Sequence, residues 1–176
     1  MWPLALLVFM VLSACSNEPE SLSPVDKEEL DQHYIEATIY AHGDPSLGIQ
    51  PDPAKAAELF RFAAERGHAL AQAQLAQMYH SGEGVVAQDG TEATKWYRLA
   101  AEQGDLDSQL ALGMMHAEGE LVAQDFVKAL KWVNIAASGN RGLLGHRDQM
   151  ANLMSPEQVA EAEALADEWL KQHGSD

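Results

Sequence analysis

A chain of 176 residues with 47% hydrophobic and 22% charged side chains has the composition of an ordinary soluble globule, which excludes wholesale disorder. Its 27 acidic against 11 basic residues leave a net charge of −16, a field that repels phosphate backbones and so excludes nucleic acid as a partner. A single cysteine excludes both an intramolecular disulfide and a cysteine-rich metal site, so packing alone must hold the fold.

The first element in the chain is an uncharged stretch, apolar from Trp2 to Leu12 except for Pro3. It is shorter than the ~20 apolar residues a membrane span needs, and it has the length of a signal-peptide core. It ends in Leu12-Ser13-Ala14-Cys15, which resembles a lipobox, the pattern read by the lipoprotein signal peptidase. The resemblance implies that residues 1–14 are a signal peptide and that Cys15 becomes the first mature residue and carries lipid. At ~0.8 kcal/mol per buried CH₂, three acyl chains anchor stably where one does not. Ser16 after the cysteine implies, by resemblance to enterobacterial lipoproteins, the outer membrane, with the domain facing the periplasm. Residues 15–25 are rich in Ser, Glu and Pro with little that can pack, and read as a flexible tether.

From residue 26 onward the chain repeats itself. Lys95-Trp96-Tyr97-Arg98-Leu99-Ala100-Ala101 recurs as Lys131-Trp132-Val133-Asn134-Ile135-Ala136-Ala137 at a spacing of 36, and Leu59 to Gly67 aligns with Trp96 to Gly104 at 37. Periods of this length mark stacked supersecondary units. In each copy a first helix is predicted to end near Tyr40, Tyr79 or His116, with Gly43, Gly82 or Gly119 following where a turn needs positive φ. Then come Gly48-Ile49, Gly84-Val85 or Leu121-Val122, and an aspartate, Asp52, Asp89 or Asp125, placed to cap a second helix. Pro53 suits the first position of its helix, Asp89 and Glu92 have capping-box spacing, and Gly67 and Gly104 close the second helices. Past Asn140 a short helix near Gly142 to Leu153 precedes Ser155-Pro156-Glu157-Gln158, a second capping box. A last helix to about Gln172 places Val159, Ala162, Leu165, Ala166, Trp169 and Leu170 on one face.

These residues resemble the Sel-1-like repeat, a relative of the tetratricopeptide repeat. The second copy carries Ala71, Leu75, Tyr79, Gly82, Gly84, Val85, Asp89, Ala93, Trp96, Ala100, Ala101 and Gly104 of its pattern. The third carries Leu112, Gly113, Gly119, Val122, Asp125, Lys128, Ala129, Trp132, Ala136 and Ala137, with His116 in place of Tyr. The first is degenerate: Glu36 replaces Leu, Leu59 replaces Trp, and residues 44–47 lengthen the turn. The resemblance implies an all-α, right-handed α-solenoid of antiparallel helix pairs, with repeats at about 26–67, 68–104 and 105–140 and capping helices over 141–176. A single pair is too small to bury its own apolar stripe, so neighbours must stack.

Motifs for zinc proteases, serine hydrolases and nucleotide binding are absent, so the chain is read as no enzyme, with no cofactor and no metal. His80 and His116 end successive first helices but lack a third ligand, and the register shared by Trp96 and Trp132 favours core packing. Cysteine-rich relatives in the repeat family act on β-lactams, but they staple each helix pair with disulfides this chain lacks. The resemblance instead implies an adaptor in the bacterial cell envelope, attached to membrane only through its lipid, that binds one or more envelope proteins with a concave face lined by first helices. On those helices the positions free of core duty are Tyr34, Thr38 and Ala41, then Ala73, Gln77 and His80, then Leu110, Met114 and Ala117. Leu110 and Met114 suit packing against the neighbouring repeat equally well. The rival function is a cell-wall or polysaccharide-binding or hydrolysing lipoprotein with an acidic groove, and a third is a stabilising subunit without a ligand of its own.

Overall fold

A computed structural model describes residues 24–83 and 87–173. The expected signal peptide, the lipidation site at Cys15, all but the last two residues of the tether, and the Gly84-Val85 pair lie outside the described residues. The helices run α1 (Pro24–His42), α2 (Pro53–Glu65), α3 (Ala69–Ser81), α4 (Gly90–Glu102), α5 (Leu106–Glu118), α6 (Phe126–Gly139), α7 (Leu144–Ala151) and α8 (Pro156–His173), with a 3₁₀ turn at Arg141–Leu143 before α7. Consecutive helices pair as α1 with α2, α3 with α4 and α5 with α6; α2 packs on α3, α4 on α5, and α8 closes the array against α6. That is an all-helical solenoid. Among the described residues no helix is long and apolar enough to cross a membrane. Helix α1 takes in Pro24 and Val25, which the sequence assigns to the tether; proline suits a first helical turn, where no amide donor is needed.

The repeated punctuation works through local chemistry. Gly43, Gly82 and Gly119 adopt φ of 73°, 72° and 70°, and Gly67 and Gly104 both adopt 90°. After each of those last two glycines the chain donates back into the helix it has left, from the amide of His68 to the carbonyl of Ala63 and from Asp105 to Ala100, both at 3.1 Å, satisfying carbonyls that the helix end orphans. The carboxylates of Asp52, Asp89 and Asp125 accept from the amides of Lys55, Thr91 with Glu92, and Lys128. Each cap also ties two helices together. The Asp52, Asp89 and Asp125 amides donate to the carbonyls of Tyr40, Tyr79 and His116 at 2.7, 2.9 and 2.8 Å, fixing where the second helix starts relative to the end of the first. This occupies the amide that a capping box at Asp89 needs. Glu92 therefore does not reach back, and instead accepts from Trp96 Nε1 at 3.1 Å. At Ser155 nothing competes, and the box closes both ways, with Gln158 Oε1 accepting from the Ser155 amide at 3.0 Å and the Gln158 amide donating to Ser155 Oγ at 3.3 Å. The lengthened first turn is pinned by an antiparallel bridge between Asp44 and Ile49, both hydrogen bonds 2.9 Å long.

Small residues line the helix crossings. Ala37, Ala56, Ala63, Ala71, Ala76, Ala93 and Ala101 are buried, with Leu75, Leu112, Phe60, Trp96 and Trp132 filling the spaces between them. Trp96 is 8% exposed and Trp132 5%, so both tryptophans belong to the core. The Trp132 ring meets Trp169 of α8 edge-on at 5.9 Å, which seals the end of the array. On α8 itself Ala162 and Ala166 are buried, but Leu165 is exposed, contrary to the stripe read from sequence. The helix has one packing partner, α6, and one partner covers a narrower stripe than two would.

Candidate protein-docking face

The first helices α3 and α5 meet across two confluent shallow grooves. One is lined by Gln77, His80, Ser81, Met114 and Glu118, the other by Leu70, Ala73, Gln74, Asp105, Asp107 and Ser108; both share Gln77, Tyr97 and Ala111. A third groove repeats the arrangement one step earlier, between α1 and α3, again with Gln77 on its wall and Phe60 at the position equivalent to Tyr97. Gln77, on the face of α3 turned away from the core, is common to all three.

Of the stripe residues read from the sequence, Ala73, Gln77, His80 and Met114 come together here. Met114 is 49% exposed, an unbranched, polarisable side chain that can adapt to a partner. Ala41 lines the α1–α3 groove. Tyr34, Thr38 and Leu110 line none of the three grooves. Tyr34 is occupied in packing, stacked on His68 with ring centroids 5.0 Å apart and tilted against Phe60 at 5.8 Å. Thr38 Oγ1 curls back to the Tyr34 carbonyl at 2.9 Å, and Leu110 is half-buried on α5.

The floor residue of the grooves, Tyr97, lies on a second helix and so outside the first-helix stripe. It is 8% exposed and its ring receives His80 edge-on at 6.3 Å. Its hydroxyl forms no hydrogen bond with a described residue, and burial together with the nearby Asp105 carboxylate pushes its pKa up to about 12, so it stays a neutral donor. The hydroxyls of Tyr40 and Tyr79, by contrast, are taken by Lys55 and Arg61. A signal was available in the register: Phe60, Tyr97 and Val133 are equivalent, and a hydroxyl at one of three otherwise apolar positions asks for a reason. The N-terminal caps of α3 and α5 were missed as well. His68 accepts through Nδ1 from the Ala71 amide while its Nε2 lies 3.0 Å from Asp31, and Asp105 accepts from the Ser108 amide.

The opposite layer has its own depression, between α2 and the segment leading into α4, where several polar groups are already engaged. Arg61 donates to the Tyr79 hydroxyl at 3.1 Å and Asp89 is committed to its cap. The two histidines that end successive first helices face different surroundings: His80 lies in the groove, while His116 is buried in the register of Tyr79. Burial, followed by the Lys128 ammonium, lowers the His116 pKa against a smaller opposing pull from Asp125. Among the described residues no three His, Cys, Asp or Glu side chains are placed to hold a metal ion.

Stacked helix pairs with a grooved first-helix layer define an α-solenoid of the helical-repeat class. The Sel1 repeat profile matches residues 37–68, 69–105 and 106–140, and the chain belongs to the Sel1 repeat family. A Sel1 repeat protein from Oxalobacter formigenes is 33% identical with a TM-score of 0.61, over 70% of this chain and 91% of that one. A protective antigen of uropathogenic Escherichia coli displaying an SLR fold superposes with a TM-score of 0.67 at 24% identity, over 85% of this chain and 39% of that one, and shares the fold. The chitin synthase regulator SKT5 of Saccharomyces cerevisiae is 36% identical over 112 residues, 62% of this chain but 16% of that protein. Sel1 repeat proteins act in protein–protein interaction and are mostly non-catalytic scaffolds.

Proposed function

We propose that this chain is a lipid-anchored adaptor of the bacterial cell envelope that holds a partner protein against its first-helix layer. The observation that carries the docking face is the pair of confluent grooves between α3 and α5, where Met114 is half in solvent and the Tyr97 hydroxyl bonds no described residue. The large apolar side chains that hold the stack, by contrast, are close to fully covered. An interface needs an apolar centre with a few polar groups that fix register, and the grooves supply both. The anchor rests on the Leu12-Ser13-Ala14-Cys15 sequence, and the envelope location follows from it.

Two experiments test the halves separately. Photocrosslinkers placed in cells at Gln77 and Met114 are expected to give one discrete adduct that crosslinkers at Glu58 and Lys95, on α2 and α4, do not give. Adducts from the second helices alone would move the face elsewhere. For the anchor, label from a clickable palmitate analogue is expected on the wild-type chain and absent from Cys15→Ser, and equal label on both would remove the lipid from the proposal.

A further inference from the structure

Charge is divided between the two helix layers. The second helices carry Lys55 and Arg61 in α2, Lys95 and Arg98 in α4, and Lys128 and Lys131 in α6, six of the 11 basic residues in the chain. First helix α1 carries Lys27, but the two that wall the α3–α5 groove carry none: α3 has no charged side chain but its histidine, and α5 has only Asp107, Glu118 and a histidine. Asp105 joins Asp107 in one groove and Glu118 sits in the other, with no Lys or Arg on either wall. Such a surface attracts cations and nothing in it repels them.

Between these carboxylates lie Met114 and Ala111, which offer apolar contact, and the hydroxyls of Tyr97 and Ser108. Tyr97 is more than nine-tenths buried, but its hydroxyl, which bonds no described residue, stays open to water at the groove floor. Ser108 is fully buried on the wall of the second groove, and its Oγ also has no partner. An unpaired polar group at that depth is costly, and a ligand that brings an acceptor recovers the loss. The complement is therefore a chain that carries cations, an aliphatic side chain and a carbonyl oxygen together. A peptide has all three, whereas a polyamine lacks the last two and nucleic acid has the wrong sign.

Resting on the reading of the first-helix layer as a docking face, we propose that the α3–α5 groove takes a basic peptide segment of its partner, with an aliphatic side chain on Met114 and Ala111 and Lys or Arg groups at Asp105, Asp107 and Glu118. Two other occupants fit less well on charge. Residues 16–25 of this chain bring Glu18 and Glu20 and no base, and a second copy brings a net −16.

The test uses the full chain, panned against a display library of random short peptides, with affinities of the enriched peptides measured on wild type, Gln77→Lys and Gln77→Glu. Gln77 is exposed, so both variants are expected to melt with the wild type. The enriched pool is expected to be net basic with aliphatic residues. Binding should weaken about threefold or more in Gln77→Lys and strengthen about threefold in Gln77→Glu, with both changes shrinking as salt is raised. Opposite signs from one position separate charge from steric obstruction. A neutral or acidic pool whose affinity still responds to either substitution would overturn the basic partner and leave the docking face standing. A pool indifferent to both, or no enrichment over bare support, would overturn both. Self-association lost in Gln77→Lys would assign the groove to a second copy instead.

Discussion

Removing the indole at Trp96 tests whether the repeat is held by this ring. The side chain is 8% exposed in a core that also includes Ala93, Leu75 and Leu112. A tryptophan buries about 200–250 Å², and at about 25 cal/mol/Å² its transfer is worth about 5 kcal/mol, part of which the methyl of an alanine retains. The cavity left behind adds to the loss because alanine-lined neighbours have little to collapse with, so Trp96→Ala is expected to cost about 3–5 kcal/mol. The polar edge contributes less. Nε1 donates to Glu92 at 3.1 Å, but that carboxylate also meets Lys95 at 3.1 Å and keeps a partner when the indole goes. Trp96→Phe, which loses that bond and part of the ring, should therefore cost only about 1–2 kcal/mol. Urea denaturation followed by far-UV circular dichroism reads both. Because a solenoid is coupled only between neighbours, the alanine variant should also unfold less cooperatively, with a lower m-value. A loss of less than about 1 kcal/mol would refute the reasoning and put the ring outside the core.

Gly90→Ala is expected to destabilise the chain by about 2 kcal/mol or more despite alanine's better helix propensity, because the new methyl would lie 2.3 Å from the Leu121 carbonyl oxygen, a backbone atom that cannot swing away; the same denaturation series checks it. Asp89→Ala should cost about 1 kcal/mol through loss of the α4 cap, with Asp89→Asn close to wild type. His116 supplies a pH dependence. Its folded pKa lies below the ordinary 6.5, first through burial and then through Lys128 and Arg98, against Asp125 and the Ala123 backbone. The unfolded chain therefore binds its proton first, so this contribution to stability is complete above 6.5 and is lost as pH falls toward the folded value. His116→Tyr, which restores the residue found at Tyr79, is expected to flatten the difference between denaturation midpoints above and below that range, and an unchanged slope would show that other groups cause it.

Much of this architecture was legible because its punctuation is local. Gly82 and Gly119 announce positive φ from one residue, and Asp52, Asp89 and Asp125 announce caps from a side chain and the amides two or three residues on. The three Sel1 repeats and the burial of Trp96 and Trp132 follow from that register. What escaped depends on residues far along the chain. The glutamate at position 92 has capping-box spacing, but whether it closes the box is decided by Tyr79, whose carbonyl has taken the Asp89 amide. Leu165 falls on the apolar face of its helix, but its exposure is decided by how many helices lie against α8. The docking stripe was half legible for the same reason. Spacing finds Gln77, His80 and Met114 on one face, and only the packed neighbour contributes Tyr97 between them.

The groove's place in the array follows from how the degenerate first repeat is used. At the α1–α3 step the position equivalent to Ala73 and Leu110 holds Tyr34, whose ring is sandwiched with His68 and Phe60 and is not free to meet a ligand. His68 is itself held between the Ala71 amide and Asp31, so that step is fastened across three helices. At the α3–α5 step the same positions carry Asp105 in place of His68 and Tyr97 in place of Phe60. Asp105 caps α5 without bridging to another helix, and Tyr97 turns an apolar floor into one with a donor. Both steps carry a groove, but at the first the aromatic and histidine side chains are spent on stacking, whereas the second leaves the Ser108 hydroxyl unpaired among the described residues. In a solenoid, where each unit answers only to its neighbours, such substitutions can alter one groove without disturbing the stack on either side.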